Sequence, residues 1–185
     1  MTRHKVFISY HHANDQAYKD EFVRVFQNYF IDKSVHAGEY DEDLSTDYIK
    51  RLIREEKITD SSIIIVLIGS ETFKRKHVDW EISAGLSCQA GGCSGLVGII
   101  LPTYYTSIEN YRLNRNQYLY DTIPPRLSDN IKTGYANIYN WEKLAERDVY
   151  GNSVLYSWLE QAYSRKCNYS HKIDNSRLQF VNNRS

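Results

Sequence analysis

Ile63-Ile64-Ile65-Val66-Leu67-Ile68 is a run of six apolar residues, introduced by Ser61-Ser62 and ended by Gly69-Ser70. A stretch with no polar alternation suits a strand buried on both faces, as at the centre of a parallel sheet. It is far shorter than the roughly 20 residues a membrane-spanning helix needs. Leu96 to Leu101 is a second such run, closed by Pro102, and Lys5 to Tyr10 a third, opening into the polar cluster His11-His12-Ala13-Asn14-Asp15. Ser34 to Ala37 reads as a weak strand and Ala136 to Trp141 as an edge strand.

Between these runs the period changes. Tyr18, Phe22, Val25, Phe26 and Tyr29 lie along one helical stripe, with Asn14 or Asp15 placed to cap its start. Leu44, Tyr48, Ile49, Leu52 and Ile53 mark a second helix, closing in Arg54 to Lys57. A third is expected from near Val78, carrying Trp80, Glu81, Ile82 and Leu86 and stopped by Gly91-Gly92. Val154, Leu155, Trp158, Leu159, Ala162 and Tyr163 give a final helix. Thr103 to Gly134 lacks a clear period, and Pro124-Pro125 is read as blocking regular structure; a connection of this length is more often functional than idle. Strands alternating with helices define an α/β domain of three layers around a mainly parallel sheet. It is expected to span residues 1–165, with a polar tail over 166–185 of which the last dozen or so residues are loosely held.

With 23 Lys plus Arg against 23 Asp plus Glu, the 185-residue chain has zero formal net charge. It therefore lacks the basic footprint of a nucleic-acid or anionic-membrane binder, so neither is expected as a partner. Met1 is followed by Thr2-Arg3-His4-Lys5 with no apolar leader, which points to the cytoplasm. Cys88, Cys93 and Cys167 form no CxxC pair and no even framework, so reduced thiols are expected. The 16 tyrosines could build aromatic walls for flat ligands, although tyrosine is also an ordinary surface residue.

In parallel α/β sheets ligands bind at the carboxyl ends of the strands, which singles out Ser9 to Asp15, Gly38 to Asp43 and Gly69 to Glu81. GxGxxG, GxxxxGK[ST] and GxSxG are all absent, and no cysteine sits at a strand end. Gly69 and Ser70 stand where a phosphoacceptor domain would need an aspartate. Glu81 remains, near the expected first turn of a helix, where the dipole favours an ionised carboxylate able to face a developing cation. Cleavage of an N-glycosidic bond creates such a cation. An acidic residue in a first turn is equally an ordinary helix stabiliser. His11-His12 could contact a phosphate, a ribose or a metal, but without a carboxylate partner no metal site is inferred. Ser70 and Thr72 could bond a sugar or simply shape a turn, and Lys74-Arg75-Lys76 could attract a pyrophosphate or simply face water.

Val6-Phe7-Ile8-Ser9-Tyr10-His11, Val66-Leu67-Ile68-Gly69-Ser70-Glu71-Thr72-Phe73 and Val78-Asp79-Trp80-Glu81-Ile82 together resemble the TIR-like family that includes the short TIR proteins of bacterial Thoeris anti-phage defence. The likeness is good over about residues 4–101 and looser through Pro124-Pro125-Arg126-Leu127 and Trp141. It implies a flavodoxin-like fold and an enzyme that consumes NAD as substrate, with no separate cofactor. The nicotinamide–ribose bond is broken, and an ADP-ribose-derived signal, a cyclic isomer or a histidine conjugate, diffuses to an effector. On the same resemblance Glu81 takes the catalytic place, while Ser9, Tyr10, His11, Ser70, Thr72 and Trp80 line the substrate pocket. Many relatives carry an aromatic residue four positions before the glutamate, where this chain has His77 and places Trp80 beside Glu81. The Gly38 to Asp43 loop implies a possible homo-oligomer. Two other readings stay open: a noncatalytic assembly module, and a nucleoside-processing transferase using Glu81 as nucleophile.

Overall fold

The computed structural model describes residues 2–34, 55–88, 92–107, 113–114 and 117–184. Among these, β1 (His4–Ser9), β2 (Phe30–Asp32), β3 (Ile63–Ile68), β4 (Gly95–Ile100) and β5 (Asn137–Asn140) form one sheet in the order β2-β1-β3-β4-β5. Every neighbouring pair is parallel. The Ile63–Ile68 run is the middle strand, and all six of its residues are buried. The helices are α1 (His12–Phe26), α2 (Lys76–Leu86), α3 (Pro125–Lys132) and α4 (Val154–Asn168); residues 55–59 are also helical.

Strand alternation divides the interior into two cores. Val6, Ile8 and Tyr10 point with Ile63, Ile65 and Leu67 toward Phe22 and Phe26 of α1 and Leu155, Trp158 and Leu159 of α4. Phe7 points with Ile64, Val66 and Ile68 the other way, toward Val78, Ile82 and Leu86 of α2 and Leu127 of α3. The result is the three-layer, flavodoxin-like α/β architecture expected from the sequence. No helix among the described residues is long and apolar enough to cross a membrane.

Several local expectations are corrected. Among the described residues the strand after α1 is Phe30–Asp32, which the sequence pattern does not single out; it is anchored by buried Phe30, stacked on Phe22 with ring centroids 5.6 Å apart. Of the weak strand expected over Ser34 to Ala37, Ser34 accepts the Ile8 N–H on its Oγ at 2.9 Å, and residues 35–37 lie outside the described residues. The expected helix over 44–53 also lies outside them, and residues 55–59 carry helix past Lys57. Pro124-Pro125 does not block structure: Pro125 opens α3, where its missing N–H costs nothing and its fixed φ already suits a helix. Neither Asn14 nor Asp15 caps α1, because His11 is the N-cap residue and both lie inside the first turn. The reduced-thiol expectation fails for two of the three cysteines: Cys88 and Cys93 form a disulfide, and Cys167 is free and exposed. The Ser94 N–H bonds the Gly85 carbonyl at 2.7 Å, folding the chain back at the end of α2 so that two cysteines five positions apart meet.

Layer contact requires a glycine at Gly95, where a Cβ would stand 2.5 Å from the Ala162 carbonyl oxygen of α4. That neighbour is helix backbone and can move only with the whole element. Gly95→Ala is therefore expected to destabilise by about 1–3 kcal/mol, read as a lower denaturant midpoint with unchanged m-value.

Candidate active site

Ser9 ends β1 on the face that looks toward α2. Its hydroxyl donates to Glu81 Oε2 at 2.6 Å, and both side chains are buried, Glu81 at 3% exposure. Glu81 is the sixth residue of α2, so it sits in the second turn; the first-turn acid is Asp79. The dipole argument consequently applies to Asp79, since the effect fades beyond the first turn. The Ser9 hydroxyl is one group that orients Glu81.

One helical turn earlier on the same face, His77 Nε2 donates to the Tyr10 carbonyl at 3.1 Å. Its ring meets that of His12 edge-on at 5.4 Å, and His12 in turn stacks on Tyr10 at 4.3 Å. The α2 face thus touches the end of β1 in two rungs, Glu81 on Ser9 and His77 on the segment that follows. His77, in the position where many relatives carry an aromatic, keeps a ring there and adds a hydrogen bond.

The remaining candidates are placed as follows. The Tyr10 side chain turns to the α1 face and donates to Gln16 Oε1 at 2.6 Å, because adjacent strand residues point to opposite sides. His11 is buried, and burial, reinforced by the nearby Arg75 and His77 and opposed by Glu71, holds its imidazole below the ordinary histidine range. Thr72 is fully buried and accepts the Gly69 N–H at 2.9 Å, shaping the turn after β3. Ser70 lies half-buried in that turn. The indole N–H of Trp80 donates to the Phe180 carbonyl at 2.8 Å, toward the C-terminal segment. Gly38 to Asp43 lies outside the described residues. Among the described residues no cluster of His, Cys, Asp or Glu is arranged to hold a metal ion. Two described clefts, of about 290 and 200 Å³, lie beside Trp141 and beside Tyr118 and are not lined by Glu81.

Two features escaped sequence reasoning. The first is Asp15, whose carboxylate is fully buried and accepts from Thr103 at 2.9 Å and more distantly from Thr72 at 3.5 Å. Gly69 makes room for it: a Cβ there would stand 2.5 Å from Asp15 Oδ1. Asp15 thereby ties the start of α1 to the turns after β3 and β4.

The second is the C-terminal segment, which is not loosely held. Arg126, fully buried, donates from Nε to Asp79 Oδ1 at 3.0 Å. It also donates to Asn175 Oδ1 at 2.8 Å and to the Arg177 carbonyl at 2.8 Å. The Phe180 N–H bonds Asp79 Oδ2, Gln179 bonds Ser83 Oγ, and Asn183 Oδ1 accepts the Lys76 N–H, each at 3.0 Å. Residues 174–184 form a polar strap along the outer side of α2. Polar composition suggested solvation, but buried Arg126 and Asp79 offer charged partners to those amides and carbonyls.

A parallel sheet in the order β2-β1-β3-β4-β5 with helices on both faces is a flavodoxin-like α/β domain, and a buried glutamate bonded to a serine lies at the end of its first strand. Residues 7–106 match the family model of the Thoeris protein ThsB, TIR-like domain, and the chain belongs to that family. No curated protein matches it at a level that would establish kinship.

Two outcomes follow from this geometry. Arg126→Ala leaves Asp79 buried without its cation, so a loss of about 3–5 kcal/mol is expected, with proteolysis of residues 174–184 accelerated. Burial also holds the Asp15 carboxyl above its ordinary range, against the Thr103 and Thr72 hydrogen bonds. A raised folded-state value means stability is fully present below the unfolded pKa and is lost as pH rises through the folded one. Asp15→Asn is expected to keep or raise the melting temperature at pH 7 and to flatten that decline in a thermal series from pH 4 upward.

Proposed function

We propose that this domain cleaves the nicotinamide–ribose bond of NAD and passes the ADP-ribosyl group to a nucleophile, making a diffusible signal for a defence effector. The observation that carries the reading is Glu81: a buried carboxylate, oriented by Ser9 at the carboxyl end of the sheet, within the region that matches the ThsB TIR-like family. In the proposed step the C–N bonding pair leaves with nicotinamide, which departs neutral, and the ribose carbon becomes an oxocarbenium-like centre. Glu81 faces that centre and stabilises it in a site from which water is largely excluded. The Ser9 hydroxyl keeps the carboxylate in place, so little reorganisation accompanies bond breaking. An adenosine hydroxyl or ring nitrogen of the same molecule then gives a cyclic isomer, free histidine a conjugate, and water ADP-ribose; the hydroxyl, imidazole or water releases its proton to solvent on attack, and a ring nitrogen, which carries none, becomes cationic or is neutralised by loss of a proton from the exocyclic amine. NAD is the substrate, and no separate cofactor takes part.

Glu81→Gln retains shape and removes the charge. In lysate of phage-challenged cells it is expected to slow NAD loss by about 10²–10³-fold and to abolish new ADP-ribose species by mass spectrometry. Equal traces from the parent and the variant would overturn the reaction, and an intact defence response in Glu81→Gln would identify an assembly module.

A further inference from the structure

Helix α2, which carries Glu81, has two unlike sides. Val78 and Ile82 pack on the sheet, whereas Lys76, Asp79, Trp80 and Ser83 recur at i, i+3, i+4 and i+7 and so form a second stripe. The strap follows that stripe, antiparallel to the helix. Asn175 Nδ2 donates to the Ser83 carbonyl and Gln179 Nε2 to Ser83 Oγ, each at 3.0 Å. The Phe180 N–H reaches Asp79, and the Phe180 carbonyl accepts the Trp80 indole N–H. Asn183 Oδ1 accepts the Lys76 N–H at 3.0 Å, and the Arg184 N–H bonds the Lys74 carbonyl at 2.9 Å. A segment docked by apolar burial would turn Leu178 and Val181 inward, yet these are 89% and 80% exposed. Hydrogen bonds hold the strap.

Such bonds add angular restraint. Apolar contact with the sheet is non-directional and holds α2 down more firmly than it fixes its rotation. Hydrogen bonds weaken steeply away from linearity and so resist roll. Glu81 lies five residues beyond Lys76, about 140° round the helix, on the flank between the strap stripe and the buried side. An α-helix with its side chains is about 10–12 Å across, so a roll of about 10° carries a side-chain tip about 1 Å. Misplacement by about 1 Å can cost about 10²-fold in rate. Ser9 holds the carboxylate from β1, and the strap holds the helix that delivers it.

We propose that residues 174–184 fix the rotation of α2 and thereby the place of the Glu81 carboxylate, with Gln179 and Asn183 as positioning residues. The kinetic consequence rests on the NAD reading proposed above; the placement of Glu81 is read without it.

The test follows the Glu81 δ-carboxyl carbon of the full chain by NMR. In the parent it is expected to give one sharp resonance. Gln179→Ala/Asn183→Ala removes two strap bonds from exposed side chains and leaves Arg126 and Asp79 paired; it is expected to shift or broaden that resonance with far-UV circular dichroism unchanged. Asn183→Asp keeps an acceptor for the Lys76 N–H and should match the parent, as should Leu178→Ala, whose side chain faces solvent. An unchanged Glu81 signal in the double variant, or an equal change in Leu178→Ala, overturns the role of the strap. Should the double variant fail to fold, Asn183→Ala set against Asn183→Asp decides the matter on one bond, and equal Glu81 signals overturn the inference. In lysate of phage-challenged cells the double variant is expected to turn NAD over about tenfold more slowly at saturating NAD with KM unchanged, because a displaced Glu81 weakens an interaction made in the transition state. Equal kcat in parent and double variant overturns the positioning role and leaves the NAD reading standing. No NAD turnover by any form, alongside a strap-dependent Glu81 signal, overturns only the reaction.

Discussion

β3 is apolar on both faces, and everything else in the domain follows from the need to cover both. Six consecutive buried residues cannot be shielded by one layer, so helices must flank the sheet on each side. The connections that deliver them place all described strands parallel and bring the strand ends to one edge. At that edge backbone groups run out of ladder partners, and helix starts and short polar side chains take over. Ser9, Thr72, Thr103 and Asp15 are all there.

The same alternation that builds two cores sorts the residues of the first loop. Ser9 falls on the α2 side and meets Glu81, while its neighbour Tyr10 falls on the α1 side and is spent on packing. Helix α2 is then held from three directions: by the sheet through Val78 and Ile82, by α3 through Asp79 and Arg126, and by the C-terminal strap along Trp80, Ser83 and Lys76. A glutamate on a helix so fixed presents its carboxylate with little freedom, as the proposed stabilisation of a short-lived cation requires.

Much of this was legible in the chain. The buried strands are continuous apolar runs, and Glu81 stands out because the more familiar motifs are missing and the Val66 to Phe73 and Val78 to Ile82 blocks are specific. Less was legible where the deciding partner is remote in sequence. Asp15 looks like a helix cap until Thr103, 88 residues away, is brought to it. The tail reads as solvated because its side chains are polar, and only the buried charges of Asp79 and Arg126 make polar atoms good packing. Cys88 and Cys93 look like separate thiols until the chain doubles back after α2.

The sequence alone determined the layering and the central strand and singled out Glu81 as a candidate, because these depend on local periodicity and on short blocks that resemble a family. Tertiary structure decided that Glu81 is oriented by a hydroxyl 72 positions away and lies in the second turn of its helix. It also decided that Trp80 faces the strap and that the starts of α1 and α2 meet. Those outcomes are contacts between elements, and a contact exists only once the sheet has fixed the distance and the facing side of each partner.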